Sequence, residues 1–139
     1  MDWVLDASVA LAWALPAETS LQADRFLKRV TTKDILWVPS LWWYEVGNAL
    51  IVAERRKRLT EADGIQLREL YGKLPIRTDV ISGPGTLERL QTLAKEYELS
   101  GYDAAYLELA LRRGIGLATV DLRLRHASQK AGVRVFRPR

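Results

Sequence analysis

The feature that most restricts this chain is a series of short apolar runs set between longer stretches of helical spacing. Trp3-Val4-Leu5, Ile35-Leu36-Trp37-Val38, Ile76 to Ile81 and Leu117 to Val120 read as short buried strands, with Val133-Arg134-Val135 as a last one. A helix is predicted from about Ser8 to Leu15, stopped by Pro16. Thr19 and Gln22 have capping-box spacing and open a second helix to about Val30. Ser40 precedes a third, Leu41 to about Arg56, and Thr60 with Asp63 opens a fourth, to about Tyr71. Gly83-Pro84-Gly85 marks a turn, after which Leu87, Leu90, Ala94 and Tyr97 recur at helical spacing. Ser100 starts a helix through Arg113, Gly114 and Gly116 bracket the next turn, and a last helix spans about Leu122 to Ala131. Short apolar strands alternating with helices predict an α/β fold whose parallel sheet is covered on both faces. With no linker, repeat or low-complexity tract, residues 1–139 read as a single domain.

In such sheets a ligand sits outside the carboxyl ends of the strands. Asp6 and Asp121 each follow a predicted strand, so the topology brings two acids to one edge. Each also has a plainer explanation, as the N-cap of the helix that follows it. Asp103 has one too: Ser100-Gly101-Tyr102-Asp103 has the S-x-x-D form of a cap, and a first-turn acid complements the helix dipole. The helix it opens is apolar on nearly every side, however, which makes that helix central and aims its start into the fold or its cleft. Glu45 cannot be a cap. It shares a stripe with Leu41, Asn48, Ala49 and Val52, so it faces inward, where a lone carboxylate needs an arginine or a metal ion. Asn48, one turn along, is placed to orient Glu45 or hold a water, and Thr119 shares a strand face with Asp121.

Clustered without counter-charge, four acids repel by roughly 4 kcal/mol per close pair at an effective dielectric of 20. A hard divalent cation relieves this, and an all-carboxylate donor set suits Mg2+ or Mn2+. Zinc is disfavoured, since the chain has no cysteine and a single histidine, His126. The same counts rule out a two-histidine acid–base ribonuclease and a disulfide framework. A Ser-His-Asp triad would have one candidate base and no nucleophile elbow; no P-loop or G-x-G-x-x-G is present.

The formal charge is +4 and the pI about 9.6. Four acids in a chain otherwise strongly basic describe a negative pocket in a positive surface, which draws phosphates while the pocket holds a cation. Arg123 and Arg125, just after Asp121, are the candidates for nucleic-acid contact. Arg55-Arg56-Lys57-Arg58 ends the Glu45 helix, where positive charge complements the dipole. The apolar stretch Val4 to Leu15 does not read as a leader, because Asp2 replaces the basic start and Asp6 interrupts the apolar run. No run is long enough to span a bilayer, so the chain reads as cytoplasmic.

Taken together, Val4-Leu5-Asp6-Ala7-Ser8-Val9, Glu45-Val46-Gly47-Asn48-Ala49-Leu50, Tyr102-Asp103-Ala104-Ala105-Tyr106 and Leu117-Ala118-Thr119-Val120-Asp121 resemble the PIN domain. Within it they resemble the VapC-type toxins of toxin–antitoxin pairs. The resemblance implies a Rossmann-like three-layer sandwich. It also implies that Asp6, Glu45, Asp103 and Asp121 form the family's acidic quartet, with Ser8 and Thr119 at its hydroxyl positions near the metal. The implied activity is endoribonuclease cleavage by metal-activated water, with one or two Mg2+ or Mn2+ ions. The implied partners are RNA, an antitoxin and a second copy of the chain. A processing nuclease of the same family without an antitoxin is one alternative, and a catalytically silent nucleic-acid-binding module another. A phosphoacceptor receiver would want paired N-terminal acids and a lysine after a late strand, and the chain has neither arrangement.

Overall fold

A computed structural model describes residues 1–137. The chain runs β1 (Asp2–Leu5), α1 (Ala7–Ala14), a 3-10 turn (Pro16–Glu18), α2 (Leu21–Arg29), β2 (Ile35–Pro39), α3 (Leu41–Arg55), α4 (Glu61–Lys73), β3 (Ile76–Asp79), α5 (Pro84–Tyr97), α6 (Gly101–Arg113), β4 (Gly116–Ala118) and α7 (Leu122–Lys130). The four strands form one parallel sheet in the order β3-β2-β1-β4, flanked by helices. The α/β class and the parallel sheet agree with the sequence pattern.

The chain moves outward from β1 to β2 and β3, then returns to place β4 on the other side of β1. This reversal makes the carboxyl ends of β1 and β4 the switch point where such sheets bind ligands. Val4 pairs with Trp37 on one side and Leu117 on the other, so β1 is one of the sheet's two inner strands. Val4, Leu5, Leu36, Val38 and Leu117 are fully buried. Each such Val or Leu stabilises the fold by about 1.5–3 kcal/mol. Against them packs α6, whose Ala104, Tyr106, Leu107, Leu109 and Ala110 are all buried, as its apolar composition predicts.

Several boundaries differ from the pattern: β3 ends at Asp79 rather than Ile81, and β4 covers Gly116–Ala118 rather than Leu117 to Val120. Ser20, not Thr19, caps α2, its hydroxyl accepting the Ala23 amide at 3.3 Å. Gly83 is the N-cap of α5 rather than part of a turn before it, because Pro84 is preorganised for a first helical position. The segment Val133–Val135 joins the sheet through one parallel bridge, Leu117 to Val135, rather than as a full strand. Phe136 beside it is fixed by edge-to-face contacts with Trp3 and Phe26, at centroid separations of 5.8 and 5.0 Å.

Gly114, with φ of +64°, closes α6 in the left-handed region and turns the chain into β4. Gly116 is needed for space: a Cβ there would meet the Trp3 ring at 2.6 Å.

Candidate active site

Asp6 stands at the N-cap of α1 with extended backbone, yet its side chain makes no cap hydrogen bond. Its Oδ2 instead accepts from Ser8 Oγ at 2.6 Å and from Thr119 Oγ1 at 2.7 Å. The two hydroxyls are held from behind: Ser8 Oγ accepts the Val120 amide at 3.2 Å and Thr119 Oγ1 the Asp121 amide at 3.0 Å. Both hydroxyls predicted beside the acids therefore bracket one carboxylate, and they stitch the end of β1 to the end of β4. Asp6 is 6% exposed. Burial pushes its pKa up to about 6; the Ser8 and Thr119 bonds oppose the rise, and the charges of Asp103 and Glu45 add to it.

Among the described residues Glu45 has no arginine partner. Half-buried on α3, it accepts a hydrogen bond from the Tyr106 hydroxyl, 2.5 Å from its Oε1. Burial first, then this bond, pushes the Tyr106 hydroxyl far above its ordinary range, so it stays protonated as a donor. Tyr106 is the site residue that the sequence reading missed. Its signal is spacing: it lies three residues after Asp103 on α6, on the same helix face. Asn48 does not fill the orienting role predicted for it, since it is exposed and makes no hydrogen bond to Glu45 among the described residues.

Asp103, half-buried in the first turn of α6, has its amide capped by Ser100 Oγ at 3.1 Å. Its carboxyl is raised above the usual range by burial and by the charge of Asp121, with Ser100 and the Arg123 charge opposing. Asp121 is exposed and does cap its helix, accepting the Leu124 amide at 3.0 Å through Oδ1. The cap explanation thus holds for Asp121 and fails for Asp6.

Around the switch point, burial and neighbouring acid charge raise the carboxyls of Asp6, just after β1, and Asp103, on α6; Glu45 on α3 and Asp121 at the β4–α7 junction are among the charges that do so. Among the described residues no group of three or more His, Cys, Asp or Glu is arranged to hold an ion. The acids share a field rather than a finished cage. The donor set is oxygen throughout, and its mutual repulsion is of the kind a hard divalent cation relieves. In that respect the residues fit Mg2+ or Mn2+.

Of the two candidate phosphate ligands, Arg123 is exposed. Arg125 is turned inward, its guanidinium donating to the Gln22 side chain and, at 3.4 Å, to the Thr119 carbonyl. It braces α7 against α2 and the strand end, which leaves it badly placed to meet a phosphate. Of the tryptophans, Trp42 is core, while Trp43 is 44% exposed with its Nε1 donating to Thr78 Oγ1 at 2.7 Å.

Comparison with known proteins gives the same picture. The PIN domain family model matches residues 3–130. The chain is 33% identical over 127 residues to VapC ribonuclease Mb0985 of Mycobacterium bovis, covering 91% of both chains. It is 33% identical over 124 residues to ribonuclease VapC3 of Pyrobaculum aerophilum, covering 89% of this chain and 92% of that one. Its fold is similar to the crystal structure of PAE2754 from Pyrobaculum aerophilum, with a TM-score of 0.68 at 26% identity over 97% of this chain and 83% of that one. A chain of a toxin-antitoxin complex from Klebsiella pneumoniae has the same fold, with a TM-score of 0.60 at 18% identity over 99% and 98% of the two chains. A match from the first strand to the end of α7, over a sheet and an acid arrangement of this kind, shows that this chain belongs to the PIN domain family.

Proposed function

We propose that residues 1–139 form a single nuclease domain that acts as a divalent-metal-dependent endoribonuclease, the toxin of a toxin–antitoxin pair. The observation that carries this reading is Asp6. It is a buried carboxylate that declines its helix cap, is clamped by Ser8 and Thr119, and lies in the field of Glu45 and Asp103. Such a group is costly to keep ionised unless a cation joins it. The names of the VapC relatives support the substrate class, and the chain's formal charge of +4 suits a polyanion.

Asp6 and Asp103 are the direct ligands of Mg2+ or Mn2+ in this proposal. Glu45 and Asp121 bind directly, through water, or at a second ion. When bound, the ion supplies Lewis acidity, acidifying water and offsetting charge on the phosphate. The chain's own residues do the rest. Ser8 and Thr119 fix the Asp6 carboxylate in one rotamer, and Arg123 takes an adjacent phosphate. Water adds at phosphorus and the 3′-oxygen departs, leaving 5′-phosphate and 3′-hydroxyl ends. The 2′-hydroxyl takes no part in this chemistry, so RNA preference rests on substrate fit.

The proposal includes an antitoxin that covers the acidic site, a homodimer and a cytoplasmic location. No helix among the described residues is long and apolar enough to cross a membrane. The test is cleavage of RNA with Mg2+ or Mn2+ by the wild type, Asp6→Asn and Asp103→Asn. Loss of cleavage in both variants and in EDTA is expected. Undiminished cleavage in both, or full activity in EDTA, overturns the proposal. A neighbouring small reading frame for a DNA-binding antitoxin separates a toxin from a processing nuclease.

A further inference from the structure

The phenol of Tyr106 meets three acid-bearing elements at one atom. It rises from α6 one turn after Asp103, and its hydroxyl donates to Glu45 Oε1 on α3 at 2.5 Å. The same oxygen lies against the backbone amide of Ala7, the residue after Asp6. The ring is 1% exposed. Packing alone does not call for the hydroxyl, because a phenylalanine would fill the same space. A buried hydroxyl is costly unless bonded, and here its acceptor is a carboxylate of the candidate site. The other oxygen of Glu45 has no hydrogen-bond partner among the described residues.

From this geometry we infer that Tyr106 is a positioning residue, holding one oxygen of Glu45 so that the other is presented to the site's cation. The inference rests on the metal-site reading above. Glu45 reaches the site through three rotatable bonds, and each is free to carry the carboxylate elsewhere. Tethering one oxygen removes that freedom before the ion arrives. Tethers of this kind behind a metal ligand are worth 10–100-fold in metal affinity.

The experiment is calorimetric titration of Mn2+ into the metal-stripped full chain. Tyr106→Phe deletes the bond and keeps the buried ring. Tyr71→Phe is the matched control: Tyr71 is also buried, and its hydroxyl donates at 2.9 Å to the Ala10 carbonyl rather than to one of the four acids. Tyr106→Phe is expected to weaken Mn2+ binding about 10–100-fold and Tyr71→Phe by less than about 2-fold, with cooperative unfolding in both. In a Glu45→Ala background, Tyr106→Phe should add no more than about 2-fold, because it acts through the missing carboxylate. Wild-type affinity in Tyr106→Phe overturns the inference. So does an equal loss in Tyr71→Phe, or full additivity with Glu45→Ala. If the wild type itself takes up no Mn2+, the metal-site reading fails and this inference goes with it.

Discussion

Arg112 holds both carboxylate oxygens of Asp79, each at 2.9 Å, joining the last turn of α6 to the end of β3. The pair sits in a larger lattice. Arg112 also donates to Glu108 through Nε at 2.7 Å, Arg89 reaches Glu108 at 3.0 Å, and Arg113 donates to Asp79 at 3.0 Å. The Arg113 guanidinium lies 3.4 Å from the centroid of the Trp37 ring. Asp79 and Glu108 are buried, so their charges depend on these arginines. The helix that carries Asp103 and Tyr106 in its first turns is therefore anchored by charge in its last two.

Removing Arg112 leaves a buried carboxylate short of its bidentate partner. Arg112→Leu is expected to destabilise the fold by about 3 kcal/mol, read as a fall in thermal midpoint at pH 7. The cost depends on pH. Burial pushes Asp79 up, but the bonds from Arg112, the Ile81 amide and Arg113 outweigh it and hold its folded pKa below the ordinary carboxylate value. A depressed pKa gives stability that is complete above the unfolded value and is lost as pH falls through the folded one. The gap between wild type and Arg112→Leu should therefore close in strong acid. A constant gap from pH 7 to pH 2 would refute the assignment.

For Asp6 the sign is opposite. Its folded pKa, about 6, exceeds the usual 3.8, so the ionised group burdens the fold above pH 6 and the burden disappears below pH 4. Asp6→Asn should raise the stability of the metal-stripped protein by about 3 kcal/mol at pH 8 and by nothing at pH 4. Saturating Mn2+ should reverse the ranking, because wild type gains about 4.1 kcal/mol at a thousandfold excess over Kd and the variant does not. Thermal melts with and without the ion measure both effects.

Arg123 and Arg125, two residues apart, should behave differently. Arg123→Ala leaves the thermal midpoint within about 0.5 kcal/mol of wild type and lowers the salt slope of RNA binding by about one ion. Arg125→Ala costs about 1–2 kcal/mol through its contacts with Gln22 and Thr119, and leaves that slope unchanged. Salt titrations of an inactive Asp103→Asn background separate them. A lost slope in Arg125→Ala would contradict its inward orientation.

Gly116→Ala places a methyl 2.6 Å from Trp3, whose ring is wedged against Phe26 and Phe136. The expected loss is about 1–3 kcal/mol, seen as a lower urea midpoint at unchanged slope. The Gly114–Gly116 turn looks uniform in sequence, but its glycines answer to different demands. One supplies a left-handed φ, the other room for an indole.

Much of the architecture was legible in the chain because the interactions that specify it are local. Apolar runs placed the four sheet strands, though Ile76 to Ile81 ends early at Asp79. The Thr60–Asp63 capping box, the Ser100 cap and the apolar faces of α6 are likewise fixed within one or two turns. The four candidate acids were picked out from short motifs for the same reason. What each acid does was not legible. Asp6, Asp103 and Asp121 look alike as helix-start acids, yet only Asp121 spends a carboxylate oxygen on its own helix. Asp6 is claimed instead by Thr119, 113 residues away, and Glu45 by Tyr106, 61 residues away. Asp79 becomes a buried anchor only because Arg112 reaches it across 33 residues. Those partnerships depend on the strand order β3-β2-β1-β4, which sets the ends of β1 and β4 side by side. Local patterns decide which segments form and where they stop. Strand order decides which side chains then meet, because only burial in the assembled sheet makes an unpaired carboxylate costly enough to demand a particular partner.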